Sequence, residues 1–82
     1  MTWIDPVPQL KAKLAAELAP LLDGWRSADI AHLLRTDPAR ISDLRRGVLT
    51  RFSLETLIRF ASRLRYDTTL TLTPRRFHKH HD

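Results

Sequence analysis

Apolar residues recur along the first third of the chain at Leu10, Leu14, Leu18, Leu21, Leu22 and Trp25. Steps of three and four predict an amphipathic helix from Gln9. Pro20 lacks the N–H that would bond to Ala16, which predicts a kink or a loosened last turn, and Gly24 suits the position just past the helix end. A second, short helix is expected next, with Ser27 as N-cap, Asp29 at its positive end, Ile30, Ala31, Leu33 and Leu34 facing inward, and a stop near Arg35. The stretch "DPARISDLRRG", residues 37–47, then reads as a sharply bounded helix of about nine residues, with Asp37 as N-cap, Pro38 at the first helical position and Gly47 closing it. Its only large apolar residues, Ile41 and Leu44, lie three apart on one face. In "RFSLETLIRFASRLR", Ser53 caps a fourth helix and Phe52 can staple onto Leu57. Leu54, Leu57, Ile58, Ala61 and Leu64 form its inward stripe, with Arg59, Arg63 and Arg65 off it.

The period changes to two at "YDTTLTLT", residues 66–73, where Tyr66, Thr68, Leu70 and Leu72 alternate with polar positions and Pro74 ends the run. This pattern predicts a strand. A lone strand in a helical chain has no partner for its backbone, and the economical partner is the same strand of a second copy across a two-fold axis. The expectation is a homodimer sealed through Tyr66, Thr68, Leu70 and Leu72. Residues 1–8, with two prolines, read as an extended lead-in, residues 9–73 as the domain, and residues 74–82 as a basic, histidine-containing tail expected to be mobile.

Composition narrows the function. Eighty-two residues make one small domain, and such a chain buries only about 60–65% of its unfolded surface, which leaves little room for an enclosed catalytic cleft. No apolar run approaches the roughly 18 residues of a membrane span, and "MTWIDPVP" lacks the features of a signal peptide. The absence of cysteine removes disulfides, thiolate metal sites and cysteine nucleophiles, and is compatible with a cytoplasmic protein. The net charge of +5 is uneven. Residues 1–25 carry a slight acidic excess, whereas eleven of the twelve basic residues beyond them are arginine. Arginine is the better bidentate donor to phosphate and guanine, and a basic half on a small domain points to a polyanionic partner.

Two short helices joined by about three residues, the second with a polar outer face, form a helix-turn-helix arrangement. "SADIAHLLRTDPARISDLRRG" resembles the helix-turn-helix of Xre/Cro-type regulators. Ala31 stands at the small-residue helix crossing, Leu34 at the core leucine before the turn, and Ile41 and Leu44 at the buried pair of the recognition helix. The extension "RFSLETLIRFASRLRYDTTLTL" resembles the short HigA-like antitoxins, in which an "R-[IV]-S-D-L-x-R-G" helix precedes "F-S-L-x-x-L" and a C-terminal β segment. The resemblance implies a mainly α, lambda-repressor-like bundle of four to five helices with one C-terminal dimerisation strand. It also implies double-stranded operator DNA as partner and a RelE/HigB-like ribonuclease toxin held inactive. Two positions depart from the pattern. Arg35 stands where glycine is usual, so the turn is either less tight or strained. Ser27 stands where a longer polar residue, commonly glutamine, reaches phosphate.

With Ile41 and Leu44 inward, the candidate base-contacting residues are Ala39 for a thymine methyl, Ser42, Asp43, and Arg40 for a guanine edge or a phosphate. Asp43 could accept from cytosine or orient Arg40 or Arg46. A simple Arg40–Asp43 pair along the helix would be worth only about 0.2–0.5 kcal/mol. Backbone candidates are Arg26, Ser27, Thr36, Arg45, Arg46 and Arg51. Other signals rank lower. His78, His80 and His81 lie in a short tail without a second ligand cluster, His32 beside the turn suits an exposed or phosphate-facing role, and Trp3 and Trp25 read as core anchors. No glycine-rich elbow or phosphate loop accompanies the Ser, His and Asp residues. No cofactor, metal or small-molecule ligand is implied, and enzymatic activity ranks last. A stand-alone repressor and an interaction module that no longer touches DNA remain as alternatives to the antitoxin.

Overall fold

A computed structural model describes residues 2–75; the histidines of the tail and most of the tail itself lie outside them. The chain is mainly helical. Helix α1 spans Val7–Leu18, α2 Ser27–Leu34, α3 Pro38–Arg46 and α4 Leu54–Arg63, with a 3₁₀ turn over Ala19–Leu22 between α1 and α2. Helix α1 begins two residues before the periodicity suggests. Asp5 Oδ1 accepts from the Val7 N–H at 3.0 Å, and the Leu10 N–H reaches the Pro6 carbonyl. The 3₁₀ turn holds Pro20 and answers its missing N–H by tightening the last turn.

The core is one cluster of twelve buried residues drawn from all four helices, the 3₁₀ turn and Phe52, and no polar residue among those described is buried. Leu22, Ile30, Ile41 and Leu57 are fully enclosed. Phe52 and Leu57 are both buried, as a hydrophobic staple requires, and Phe52 meets Phe60 edge to face at 6.1 Å.

Several positions differ from the sequence expectation. Ser27 is not the cap of α2. The helix starts one residue earlier, on the Arg26 carbonyl, which accepts from the Asp29 and Ile30 N–H groups, and no side chain caps it. Leu33 is exposed because the buried arc of α2 is filled by Ile30, Ala31 and Leu34. On α4 the buried stripe centres on Leu57, Phe60 and Ala61, which turns Ile58 to its edge. Trp3, at 74% exposure, and Trp25, at 44%, are not core anchors, and Leu10 is also largely exposed.

No strand forms among the described residues. Residues 66–73 instead run back along α1 as an exposed segment. Tyr66–Thr69 lie beside Leu14, Leu18, Leu21 and Ala61, and the segment continues past Leu10 and Ile58 toward Thr73. A strand is defined by its ladder, and a helical body offers no sheet edge to complete one. Leu70 and Leu72 are left 74% and 97% exposed.

Helix α3 has the bounds its sequence dictates. Asp37 Oδ1 accepts from the Arg40 N–H at 3.0 Å, Pro38 occupies the first turn, and Gly47 closes the helix at φ 75°. Replacing Asp37 with alanine is expected to destabilise the fold by about 1 kcal/mol, lowering the thermal midpoint by roughly 4–8 °C in a scanning calorimeter.

Candidate nucleic-acid interface

The turn between α2 and α3 consists of Arg35, Thr36 and Asp37. Arg35 adopts the left-handed conformation (φ 58°, ψ 48°) that glycine favours. The Thr36 N–H bonds to the Ala31 carbonyl at 2.9 Å and the Arg35 N–H to the His32 carbonyl at 3.2 Å, which together form a Schellman closure. The turn is therefore tight despite lacking glycine, and the left-handed conformation costs about 1–2 kcal/mol in a residue with a Cβ. Across it, Ile30, Ala31 and Leu34 of α2 pack with Ile41 and Leu44 of α3, all buried in one cluster. The small Ala31 side chain, 2% exposed, lets the two helices approach.

That packing turns Ala39, Ser42 and Arg46 outward, with Asp43 at the border. Arg46 Nη2 donates to Asp43 Oδ1 at 2.8 Å, so Asp43 orients Arg46 and not Arg40. The Arg46 side chain remains 65% exposed. Arg40, half-buried, leaves the helix sideways. Its guanidinium carbon lies 5.9 Å from the centre of the Phe52 ring, and Nη1 donates to the Arg51 carbonyl at 3.0 Å. The N-terminal half of α3 is thereby joined to the loop that carries Arg51, whose side chain is exposed.

Arg45 differs most from its expected role. Its Nη2 donates to the carbonyls of Leu22 and Trp25 at 3.2 and 2.9 Å. The Leu22 carbonyl also accepts from the Trp25 N–H at 3.1 Å, and both carbonyls lie at and just beyond the end of the 3₁₀ turn, so Arg45 ties the last turn of α3 to the α1–α2 connection. Arg26 forms an open 3.6 Å pair with Asp29, worth little in water. Ser27 and Thr36 are half-buried at the start of α2 and before Asp37. The structure thus gathers Ala39, Ser42, Asp43 and Arg46 on one face and places Arg40 and Arg51 together at its rim. Tyr66, Thr68, Leu70 and Leu72 belong to the segment along α1 and are no part of this face.

The fold and this face define a helix-turn-helix protein. Residues 8–72 match the family model described as "Helix-turn-helix domain", and the chain belongs to that family. No curated protein and no solved structure matches the chain. Membership supports a DNA-binding regulator, and domains of this kind are typically non-enzymatic. Among the described residues, no helix is long and apolar enough to cross a membrane.

Sequence reasoning missed the partners of Arg40 and Arg45. A cation near helix-terminal carbonyls is a known pairing, but the twenty or more residues separating Arg45 from Leu22 and Trp25 put this one beyond local pattern. Removing the guanidinium in Arg45→Ala is expected to lower stability by about 1–2 kcal/mol in urea unfolding. Arg45→Lys should recover only part, since an ammonium is more strongly hydrated than a guanidinium and gives up more water to bond the same two carbonyls.

Proposed function

We propose that the protein is a sequence-specific DNA-binding transcriptional regulator that acts as a homodimer and serves as the antitoxin of a toxin–antitoxin pair. The observation that carries the DNA-binding reading is α3 itself: a nine-residue helix, capped at both ends and buried through two side chains, with a small and polar outer face. Helices presented this way enter the major groove with their N-terminal residues at the base edges.

In this reading Ala39 and Ser42 meet bases, Asp43 accepts from a base amine while steering Arg46, and Arg46 holds a phosphate. Arg40 exchanges its bond to the Arg51 carbonyl for a guanine edge or a phosphate, and Arg51, Thr36, Ser27 and Arg26 follow the backbone. Arg45 supports the interface from behind. The exposed residues 66–73, with alternating Leu and Thr and no intrachain ladder, pair with the same segment of a second copy and set two α3 helices about 34–36 Å apart, one turn of the duplex.

The antitoxin role rests on the resemblance of residues 40–47 and 52–57 to HigA-like sequences. The toxin would be a RelE/HigB-like ribonuclease and the location cytoplasmic. Exposed Trp3, Ile4 and Val7 make the start of α1 a suitable toxin-docking region. One observation favours the interaction-module reading: Arg40, Arg45 and Arg46 all have intramolecular partners, which leaves fewer free cations on the face.

The readings separate by experiment. Affinity for DNA upstream of the protein's own gene should fall steeply with salt, and Arg46→Ala should lower the log–log salt slope by about 1. No salt-dependent binding to that DNA would favour the interaction module. Leu70→Asp with Leu72→Asp should convert a dimer to a monomer by light scattering at micromolar concentration, and a monomeric parent would refute the strand pairing. A neighbouring reading frame that is toxic when expressed alone and silenced by this chain would distinguish antitoxin from stand-alone repressor.

A further inference from the structure

Three helices end in the same closure, but only one does so with glycine. At α3 the left-handed position is Gly47. At α2 it is Arg35, and at α4 it is Arg65, with φ 72°. The α4 end repeats the Schellman pattern, with the Arg65 N–H on the Ser62 carbonyl at 3.0 Å and the Tyr66 N–H on the Ala61 carbonyl at 2.9 Å. These two arginines are the only residues other than glycine with positive φ among those described, and both line one concavity of about 500 Å³. Arg63 and His32 line it as well, and no acidic side chain does. No hydrogen bond or ion pair engages the Arg35, Arg63 or Arg65 side chains among the described residues.

Helix C-termini attract cations, but that does not account for the cluster. Two helix ends carry the equivalent of about −0.5 charge each, against three full guanidinium charges. The surplus is therefore positive. Backbone strain held at residues that converge on one place is grounds for a functional assignment. Each guanidinium presents a planar fork of N–H donors that matches phosphate oxygens, and three full positive charges around one concavity suit a group with more than one negative charge, as phosphate carries, better than a single carboxylate. Helix α4 rises about 15 Å over its ten residues, which separates Arg63 and Arg65 from the end of α4 that adjoins Arg51 and Arg40.

We infer that Arg35, Arg63 and Arg65, with His32, form a second anion site that binds phosphate ester groups, distinct from the face of α3. The phosphate comes either from nucleic acid flanking the operator or from a free phosphorylated small molecule. The double variant R35G/R65G removes two charges while relieving the left-handed strain, so loss of binding cannot be ascribed to loss of fold.

The first experiment titrates the full chain, without DNA, with inorganic pyrophosphate at low ionic strength, observing arginine side-chain and amide resonances. Saturable shifts confined to His32, Arg35, Arg63 and Arg65 are expected. R35G/R65G should weaken binding by at least about tenfold, the least that loss of one charge-assisted hydrogen bond gives, with a thermal midpoint no lower than that of the parent. Shifts that do not saturate or that spread evenly to Arg26 and Arg59, or unchanged binding in the variant, would overturn the site. The second experiment compares duplexes trimmed to the half-sites with duplexes one helical turn longer at each end. Weaker binding of R35G/R65G to the longer duplex alone assigns the phosphate to flanking nucleic acid. Unchanged affinity for both, with pyrophosphate binding lost, assigns it to a free phosphate ester. Equal loss on both duplexes places these arginines in the operator interface and overturns a separate site. Absence of any DNA binding refutes the regulator reading and leaves the pyrophosphate result to stand alone.

Discussion

Helix α3 is fastened to the body by two apolar side chains. Ile41 and Leu44 are 0% and 1% exposed, and the other residues of the helix are small, polar or charged. Burying two such side chains contributes about 1.5–3 kcal/mol each, enough to fix which side of the helix faces inward but little to stop it rolling or sliding. The remaining contacts oppose those motions. Asp37 and Gly47 set the two ends, Arg40 joins the first half to the loop before α4, and Arg45 joins the last turn to the end of the 3₁₀ turn. Both guanidinium groups bond backbone carbonyls, so what they hold is the course of the neighbouring chain.

This division explains which parts could be read from the chain alone. Most features that depend on neighbours within five residues were legible: the Asp37 and Ser53 caps, the Gly47 closure, the weakening at Pro20 and the inward turn of Ile41 and Leu44. The starts of α1 and α2 were not, because Asp5 with Pro6 and the Arg26 carbonyl begin those helices two residues and one residue earlier than the pattern marks. The other errors appear where tertiary contact decides. Trp3 and Trp25 are large and apolar, but the core is filled by aliphatic residues and by Phe52 and Phe60, leaving both indoles exposed. Ile58 fits the helical period, yet Phe60 takes the inward place. Of the candidate interface, Ala39, Ser42, Asp43 and Arg46 share the face their spacing implies. The inward duties of Arg40 and Arg45 depend on residues eleven or more positions away.

Residues 66–73 show a different limit. Alternation reports how side chains would be arranged if a ladder existed, but the ladder itself needs a partner that one helical chain does not supply. The segment has the composition of a strand and the surroundings of a surface ribbon. The exposure of Tyr66, Leu70 and Leu72 follows from that mismatch and sets the segment apart from the tightly bonded turns.

The three Schellman closures have a kinetic consequence. Each is complete within six residues, and each ends a helix of only eight to ten residues. Much of the bonded backbone therefore forms without long-range search, which places the chain among low-contact-order topologies that fold in roughly microseconds to milliseconds. A newly made chain of this kind reaches its folded shape far sooner than it meets another molecule at low cellular concentration. Encounter, not folding, would then set how quickly any assembly it joins becomes available.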